Sequence, residues 1–496
     1  MPSMLEPFFM GGDGTRWIAP LILFSGFAFA FYCGLIPFLY VRNKSIEFII
    51  GAGVCVFFAA VMIFVSLQRL SSGVRFIESF HATMVVRCLT GRSLYSDWHT
   101  TATGTIYGPV YFYISALIDH IIPGDFLAGR LVSLGSALST CFLVYKISST
   151  CNKSPVAGTW AAALFLCTYG TLGKLYDIIA VDPLLMLLCT AAFFFLLKNN
   201  ARGDFLALTI AGVACFTKQT ALFPMLTIVA CSIIARRKAR ILSPLAFFIS
   251  AGIILGAATR GYAWTYLVSL PASHSIRWSV ENEDLFRIGV MQVPLWTGFV
   301  FFVLHSRKHR FLAYSLSLFA ISMLGLMKGG GWINAVFPFQ PVLCIGASSF
   351  LKDHKPLLVI QLIAGLYNPF GALYPWSTIR KADCEAVALA RCAAGPTWFP
   401  SESYLFKRAG KEEWDHYAAL DNLTWAGVDF PQRVIRAAEN RCFDLIIMRK
   451  GQKKYFLRLS KDLQRVLAGN YVCTSTRHLL VYRAKHPDSG GDTVHE

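Results

Sequence analysis

Long apolar runs separated by short polar connections fill most of the chain. They lie at about Trp17 to Val41, Ile46 to Leu67, Leu127 to Tyr145, Pro155 to Gly173, Val181 to Leu197, Phe205 to Thr217, Ala221 to Ala235, Ile241 to Thr259, Phe286 to Leu304, Phe311 to Met327, Ala335 to Leu351 and Pro356 to Tyr374. A helix rising ~1.5 Å per residue needs ~20 apolar residues to cross the hydrocarbon of a bilayer. Several runs are shorter, so their boundaries are soft. The pattern predicts a polytopic α-helical membrane protein with about 12 transmembrane helices.

From about Tyr374 the periodicity changes. Amphipathic helical patterns at Asp383 to Ala394, Pro431 to Asn440 and Lys453 to Leu467 alternate with strand-like runs at Phe443 to Arg449 and His478 to Arg483. The chain therefore divides into a multi-pass region, 1–374, with a polar loop at 68–126, a small soluble α+β domain at 375–487, and a tail at 488–496. The domain is long enough to fold on its own.

Composition supports the membrane class: 55% of the 496 residues are hydrophobic and only 15% charged, with mean hydropathy +0.52. The net charge of +18 does not point to nucleic acid. The basic residues sit in short clusters between apolar runs instead of along one face. Arg42/Lys44, Lys146/Lys153, Lys198/Arg202, Arg236 to Arg240, Arg307 to Arg310 and Lys352/Lys355 fall at alternate connections, which the positive-inside rule sends to the cytoplasm. The N-terminus, the 68–126 loop, the turn Lys174 to Asp182, Lys218, the stretch Arg260 to Asp284, Lys328 and everything after Tyr374 are then external. One further apolar stretch, Ile106 to Ile122, would reverse Asp177 and Asp182 if it crossed. It is expected to begin and end on the outer side as an interfacial or re-entrant helix. No basic start with a cleavage site marks a secretory signal.

The 14 cysteines include no CxxC pair and give no zinc signature. Cys384, Cys392, Cys442 and Cys473 could pair in an oxidising compartment or remain thiols. Asn422-Leu423-Thr424 is a glycosylation sequon, meaningful only in a eukaryotic secretory pathway.

The densest polar passage of the first half is Arg75 to Tyr113. Glu78 and His81 stand three apart on a helical pattern and share a face, a candidate acid/base or metal pair. The bland alternative is a surface helix with solvated side chains. Ionisable groups are scarce at the helix centres, whereas proton- or ion-coupled carriers place theirs at the midplane. Glu78, Lys174, Asp177, Asp182, Lys218, Arg260, Arg277 and Lys328 gather at the outer ends instead. Singly each cation reads as an interfacial anchor; together with carboxylates they read as a site where a polar headgroup meets protein while its lipid tail stays in hydrocarbon.

Glu78-x-x-His81, Leu89-Thr-Gly91-Arg-Ser-Leu-Tyr95-x-Asp97, Tyr107-Gly-Pro109-Val-Tyr111-Phe-Tyr113 and Arg130-Leu-Val-Ser resemble the first external loop of the GT-C superfamily of glycosyltransferases. The similarity is to the bacterial branch akin to protein O-mannosyltransferases and the lipid A aminoarabinose transferase. Asp177, Asp182-Pro183, Phe216-Thr-Lys218-Gln, Pro271-x-x-His274 after Tyr266, Lys328-Gly-Gly-Gly with Asn334, Ala409-Gly-Lys411 and Phe443-Asp-Leu-Ile-Ile extend it over most of the chain from Ile46. The usual Asp-Glu doublet is Ile77-Glu78 here, and the usual Pro-Pro is Gly108-Pro109.

The resemblance implies sugar transfer, with inversion, from a polyprenyl-phosphate-linked donor to a hydroxyl of a glycan, lipid or protein acceptor. It implies a site facing the periplasm or exterior of a bacterial inner membrane. Glu78 would be the general base, and His81 would orient it, touch the sugar or simply pack. Lys218, Arg260 and Lys328, then Arg277 and His274, would meet the phosphate; Asp177 and Asp182 would hold sugar hydroxyls or arginine partners, and Tyr107 would bind substrate. For Asp182-Pro183 the bland alternative is a helix start. No metal is required, although Glu78 and His81 leave a divalent ion possible. The rival class is a lipid or solute transporter with an external sensor domain.

Overall fold

The computed structural model describes residues 43–70, 76–124, 126–276, 282–306, 308–328, 331–366, 376–458 and 460–485. The run at Trp17 to Val41, the side of the N-terminus, Arg277 and the tail lie outside these residues. The chain is mostly helical. Its apolar region comprises α1 Lys44–Leu70, α2 Phe76–Leu89, α3 Val110–Ile121, α4 Leu127–Asn152, α5 Pro155–Thr171, α6 Val181–Leu197 and α7 Ala201–Cys215. These are followed by α8 Leu222–Ile234, α9 Lys238–Ala258, α10 Val293–His305, α11 His309–Met327, α12 Gln340–Leu351 and α13 Lys355–Ala364.

Helix starts follow local chemistry. Ser154 accepts from the Ala157 N–H with Pro155 in the first turn of α5, and Asn200 accepts from the Gly203 N–H at 2.7 Å to open α7. Helix α5 is apolar on every side and buried along its length between α1, α4 and α12, as an all-round apolar helix must be.

Among the described residues, four helices are long and apolar enough to cross a membrane: Lys44–Arg69, Leu127–Asn152, Ile241–Ala258 and His309–Met327. The other expected crossings are shorter. Val293–His305 and Gln340–Leu351, for example, fall among the apolar helices of 10–17 residues. The apolar runs extend past these helices into irregular backbone: Phe286–Val290 is a π-helical turn ahead of α10, and Ile333–Val336 a 3-10 turn ahead of α12. Helix α3 has 12 residues, ~18 Å of rise, which is short of a crossing. It buries Tyr111, Phe112, Ser115 and Ala116 and exposes Tyr113, Leu117 and Ile121.

The C-terminal part is α+β. It contains α14 Trp376–Cys392, β1 Thr397–Trp398, α15 Leu405–Ala409, α16 Tyr417–Trp425, α17 Gln432–Glu439, β2 Leu445–Arg449, α18 Lys461–Asn470, β3 Tyr471–Ser475 and β4 Leu479–Ala484. The sheet order is β1-β2-β4-β3, with β1 parallel to β2 and the other pairs antiparallel. One core, around Trp398, Phe443, Ile446 and Phe456, belongs to this part alone. A second joins it to the loop: Phe80, Val85 and Tyr111 pack in one cluster with Ala386, Phe399, Tyr404 and Ile447.

Polar clamps reinforce that seam. Glu413 takes Arg87 and, at 2.9 Å, Arg92; Asp415 takes the Thr103 N–H and hydroxyl and Arg433. His416 packs fully buried against α2. Its Nδ1 accepts from the Ala418 N–H, so the proton sits on Nε2, 2.9 Å from the Ser401 carbonyl and 2.7 Å from the Ser79 hydroxyl. Burial holds its imidazole down at about 3, so it stays neutral. Cys384, Cys392, Cys442 and Cys473 are exposed free thiols, and Asn422 lies inside α16.

Candidate active site

The turn between α5 and α6 carries much of the predicted chemistry. Gly173 and Lys174 adopt positive φ (71° and 57°), which folds Leu175 to Ala180 back into the protein. Two separate polar groupings result.

The first is sealed. Glu78 is 0% exposed, and its carboxylate receives the Arg130 fork at 3.0 and 3.1 Å and the Ile179 N–H at 3.1 Å. Arg130 also donates to the Arg69 carbonyl. Arg69 pairs with Asp177, which accepts further from Ser66 at 2.7 Å and Tyr169 at 2.9 Å. Glu78 and Asp177 are thus neighbours through two arginines, and Asp177 has the arginine partner that was one of its two expected roles. A general base must reach its acceptor within hydrogen-bond distance. As placed, Glu78 directs its lone pairs at Arg130 and Ile179, which departs from the expectation of a base open to a substrate hydroxyl.

The second grouping faces a cavity of about 330 Å³. Tyr107, Asp182, Lys218, His274 and Lys328 all line it, together with Asn334, Trp332 and Trp425. Asp182, in the first turn of α6, accepts from Lys218 and Asn334, each at 2.7 Å. Lys218 also lies 5.4 Å from the centre of the Tyr107 ring, a cation–π distance. Lys328, at the end of α11, donates to the Pro271 carbonyl at 2.6 Å. His274 is buried, with Nε2 3.1 Å from the Asn422 carbonyl. Asn422 and Trp425 come from α16, so the C-terminal part forms one wall.

Gly108 makes this arrangement possible. Its N–H donates to the Thr217 carbonyl at 3.1 Å and the Val110 N–H to the Phe216 carbonyl at 3.1 Å. A Cβ on residue 108 would lie 2.0 Å from the Phe216 oxygen, so only glycine admits the approach. The approach sets Tyr107 over Lys218. Tyr107 also stacks on His81 at 5.3 Å, and His81 stacks on Phe112. His81 is therefore an aromatic packing partner of the cavity wall.

Arg260 is exposed at the end of α9, outside the cavity lining. Asn334 and Arg130 appear in the sequence motifs without an assigned role, and Arg69 was not singled out. A lone arginine inside an apolar run such as Leu127 to Tyr145 demands a buried partner, and that signal was available for Arg130. Among the described residues no group of three or more His, Cys, Asp or Glu side chains is gathered to hold a metal.

No family model and no curated protein matches the sequence. The fold has solved counterparts. ArnT from Cupriavidus metallidurans bound to undecaprenyl phosphate superposes with a TM-score of 0.59 at 12% identity, covering 87% of this chain and 98% of that one. The same protein in the apo state gives 0.57 at 13% identity, with the same coverage. The oligosaccharyltransferase of Archaeoglobus fulgidus in complex with Zn and sulfate gives 0.50 at 10% identity, covering 87% of this chain and 73% of that one. Both proteins are GT-C glycosyltransferases, so the architecture is the one the sequence motifs resemble.

Proposed function

We propose that this chain is a membrane glycosyltransferase that moves a sugar from a polyprenyl-phosphate carrier to an acceptor hydroxyl on the external face, with inversion. The observation that carries this reading is the cavity holding Lys218 and Lys328 beside Asp182, in a fold shared with a protein crystallised with undecaprenyl phosphate. Apolar Phe223, Ile321 and Leu324 line the same cavity. They suit the first isoprene units, while the two lysines suit the phosphate.

In the proposed step the acceptor oxygen attacks the anomeric carbon and its proton passes to a carboxylate. The bond from that carbon to the phosphate oxygen breaks, and polyprenyl phosphate departs with the electron pair. Charge grows on the phosphate as the bond breaks, and Lys218 and Lys328 stabilise it. The base is assigned to Asp182, which lines the cavity where Glu78 does not; both its oxygens accept here, from Lys218 and Asn334, so the acceptor hydroxyl takes the place of the Asn334 amide when it binds. Glu78 instead acts as a positioning residue: through Arg130 and the Ile179 N–H it fixes the turn that delivers Asp182. Tyr107 and His274 border the sugar. No step is routed through a metal.

Membranes containing the protein, given a radiolabelled polyprenyl-phosphate sugar, test the reading. It requires label to leave the carrier and appear on an acceptor. Label that changes leaflet while still on its carrier identifies a transporter and overturns it.

A further inference from the structure

A second, larger cavity of about 840 Å³ lies at the far end of the same helices. Helix α6 starts at the first cavity with Asp182 and ends at the second with Phe194, Leu197 and Lys198; α11 starts at the second with Arg310 and ends at the first with Lys328. With 17 and 19 residues, these helices separate the cavities by ~25–30 Å, the thickness of a hydrocarbon core. The second cavity therefore sits at the opposite membrane boundary from the candidate active site.

Its chemistry is two-sided. Phe194, Leu197, Ile234 and Phe311 make an apolar wall, and Ile234 is 82% exposed, so the wall continues onto the surface that faces lipid. The rim is cationic. Arg310 and Arg237 share the single carboxylate of Asp204, at 2.7 and 3.1 Å, which leaves positive charge in excess. Lys308 donates to the Cys151 carbonyl at 2.6 Å. Lys198 lies 4.9 Å from the Phe194 and Phe195 ring centres. Neither lysine has a carboxylate partner among the described residues. Cations in excess around an apolar cleft at a membrane boundary match the head and upper chains of an anionic lipid.

We infer that this cavity binds an anionic glycerophospholipid, its phosphate between Lys198 and Lys308 and an acyl chain along Phe194, Phe311 and Ile234. Nothing in the sugar-transfer reading requires it. The site would anchor the far ends of α6, α8 and α11, whose near ends carry the first cavity.

Native mass spectrometry of the full-length protein in a neutral maltoside detergent, titrated with phosphatidylglycerol or with phosphatidylcholine of the same acyl chains, tests this. Phosphatidylglycerol should bind the wild type on the order of tenfold more tightly. The Lys198→Gln/Lys308→Gln pair should lose that preference, and Lys146→Gln/Lys153→Gln, at the same end of the bundle but outside the cavity lining, should keep it. Equal binding of the two lipids by the wild type overturns the inference. So does a preference that survives in Lys198→Gln/Lys308→Gln or falls equally in both pairs. If the first pair fails to elute as a folded species, the wild-type comparison of headgroups decides alone.

Discussion

Lys218 Nζ stands 2.7 Å from the Asp182 carboxylate, joining the connection between α7 and α8 to the first turn of α6. One charge of each sign faces the cavity from residues 36 positions apart in sequence. Lysine can meet a phosphate there while the carboxylate stays beside it to take a proton. Lys218→Gln or Lys328→Gln should each lower the rate of sugar transfer by ~10². The effect should appear in turnover by protein that still elutes as a folded monodisperse species.

Asp182→Asn removes the proton acceptor and keeps the shape. Loss of general-base assistance should cost ~10²- to 10⁴-fold in transfer while binding of polyprenyl phosphate is retained. Wild-type turnover in this variant would return the base to another carboxylate.

Glu78→Gln should behave differently. It leaves Arg130 buried beside a neutral amide, and breaking a buried pair costs ~3–5 kcal/mol. The expected result is a clear fall in melting temperature with activity lost in proportion to folded protein. An undiminished melting temperature with transfer down by ~10² or more would instead assign Glu78 to chemistry.

Gly108→Ala tests the loop contact. Its Cβ would collide with the Phe216 carbonyl, and forcing the two segments apart should cost ~1–3 kcal/mol and move Tyr107 off Lys218. Weaker binding of polyprenyl phosphate, read by titration, should accompany the loss of stability.

Glu402 gives the C-terminal part a pH dependence. Burial pushes its carboxyl from 4.5 up to about 7, against the opposing pull of Arg449. Between those values the native state keeps a proton that the unfolded state has released, so stability falls as pH rises through that window. The full effect is about 3 kcal/mol. Glu402→Gln should remove it, so the stability difference between variant and wild type should grow from pH 4.5 to 7 and then level off. A constant difference would contradict the assignment.

Helix positions were legible because periodicity depends on neighbours in sequence: Val181 to Leu197 was read as a run and is α6. Strands β1 and β3 were not read. Thr397–Trp398 is too short to show alternation, and Tyr471–Ser475 exposes four of its five side chains. For the site, sidedness gathered Tyr107, Asp182, Lys218, His274 and Lys328 at one end of the bundle, and these five share a cavity. Sidedness could not say which cations neutralise which carboxylates. Glu78 and Asp177 belong to the same end, yet Arg130 and Arg69 seal them away. That outcome depends on how α1, α2 and α4 meet, which no local pattern records. Exposed Arg260 shows the same limit.

The most direct test of the account is thermal unfolding of the purified protein with undecaprenyl phosphate and, in parallel, with undecaprenol, which lacks the phosphate. The account predicts that the phosphate raises the melting temperature of the wild type, that undecaprenol does not, and that the rise disappears in Lys218→Gln/Lys328→Gln. Equal stabilisation by both lipids, or an undiminished rise in the double variant, would contradict it.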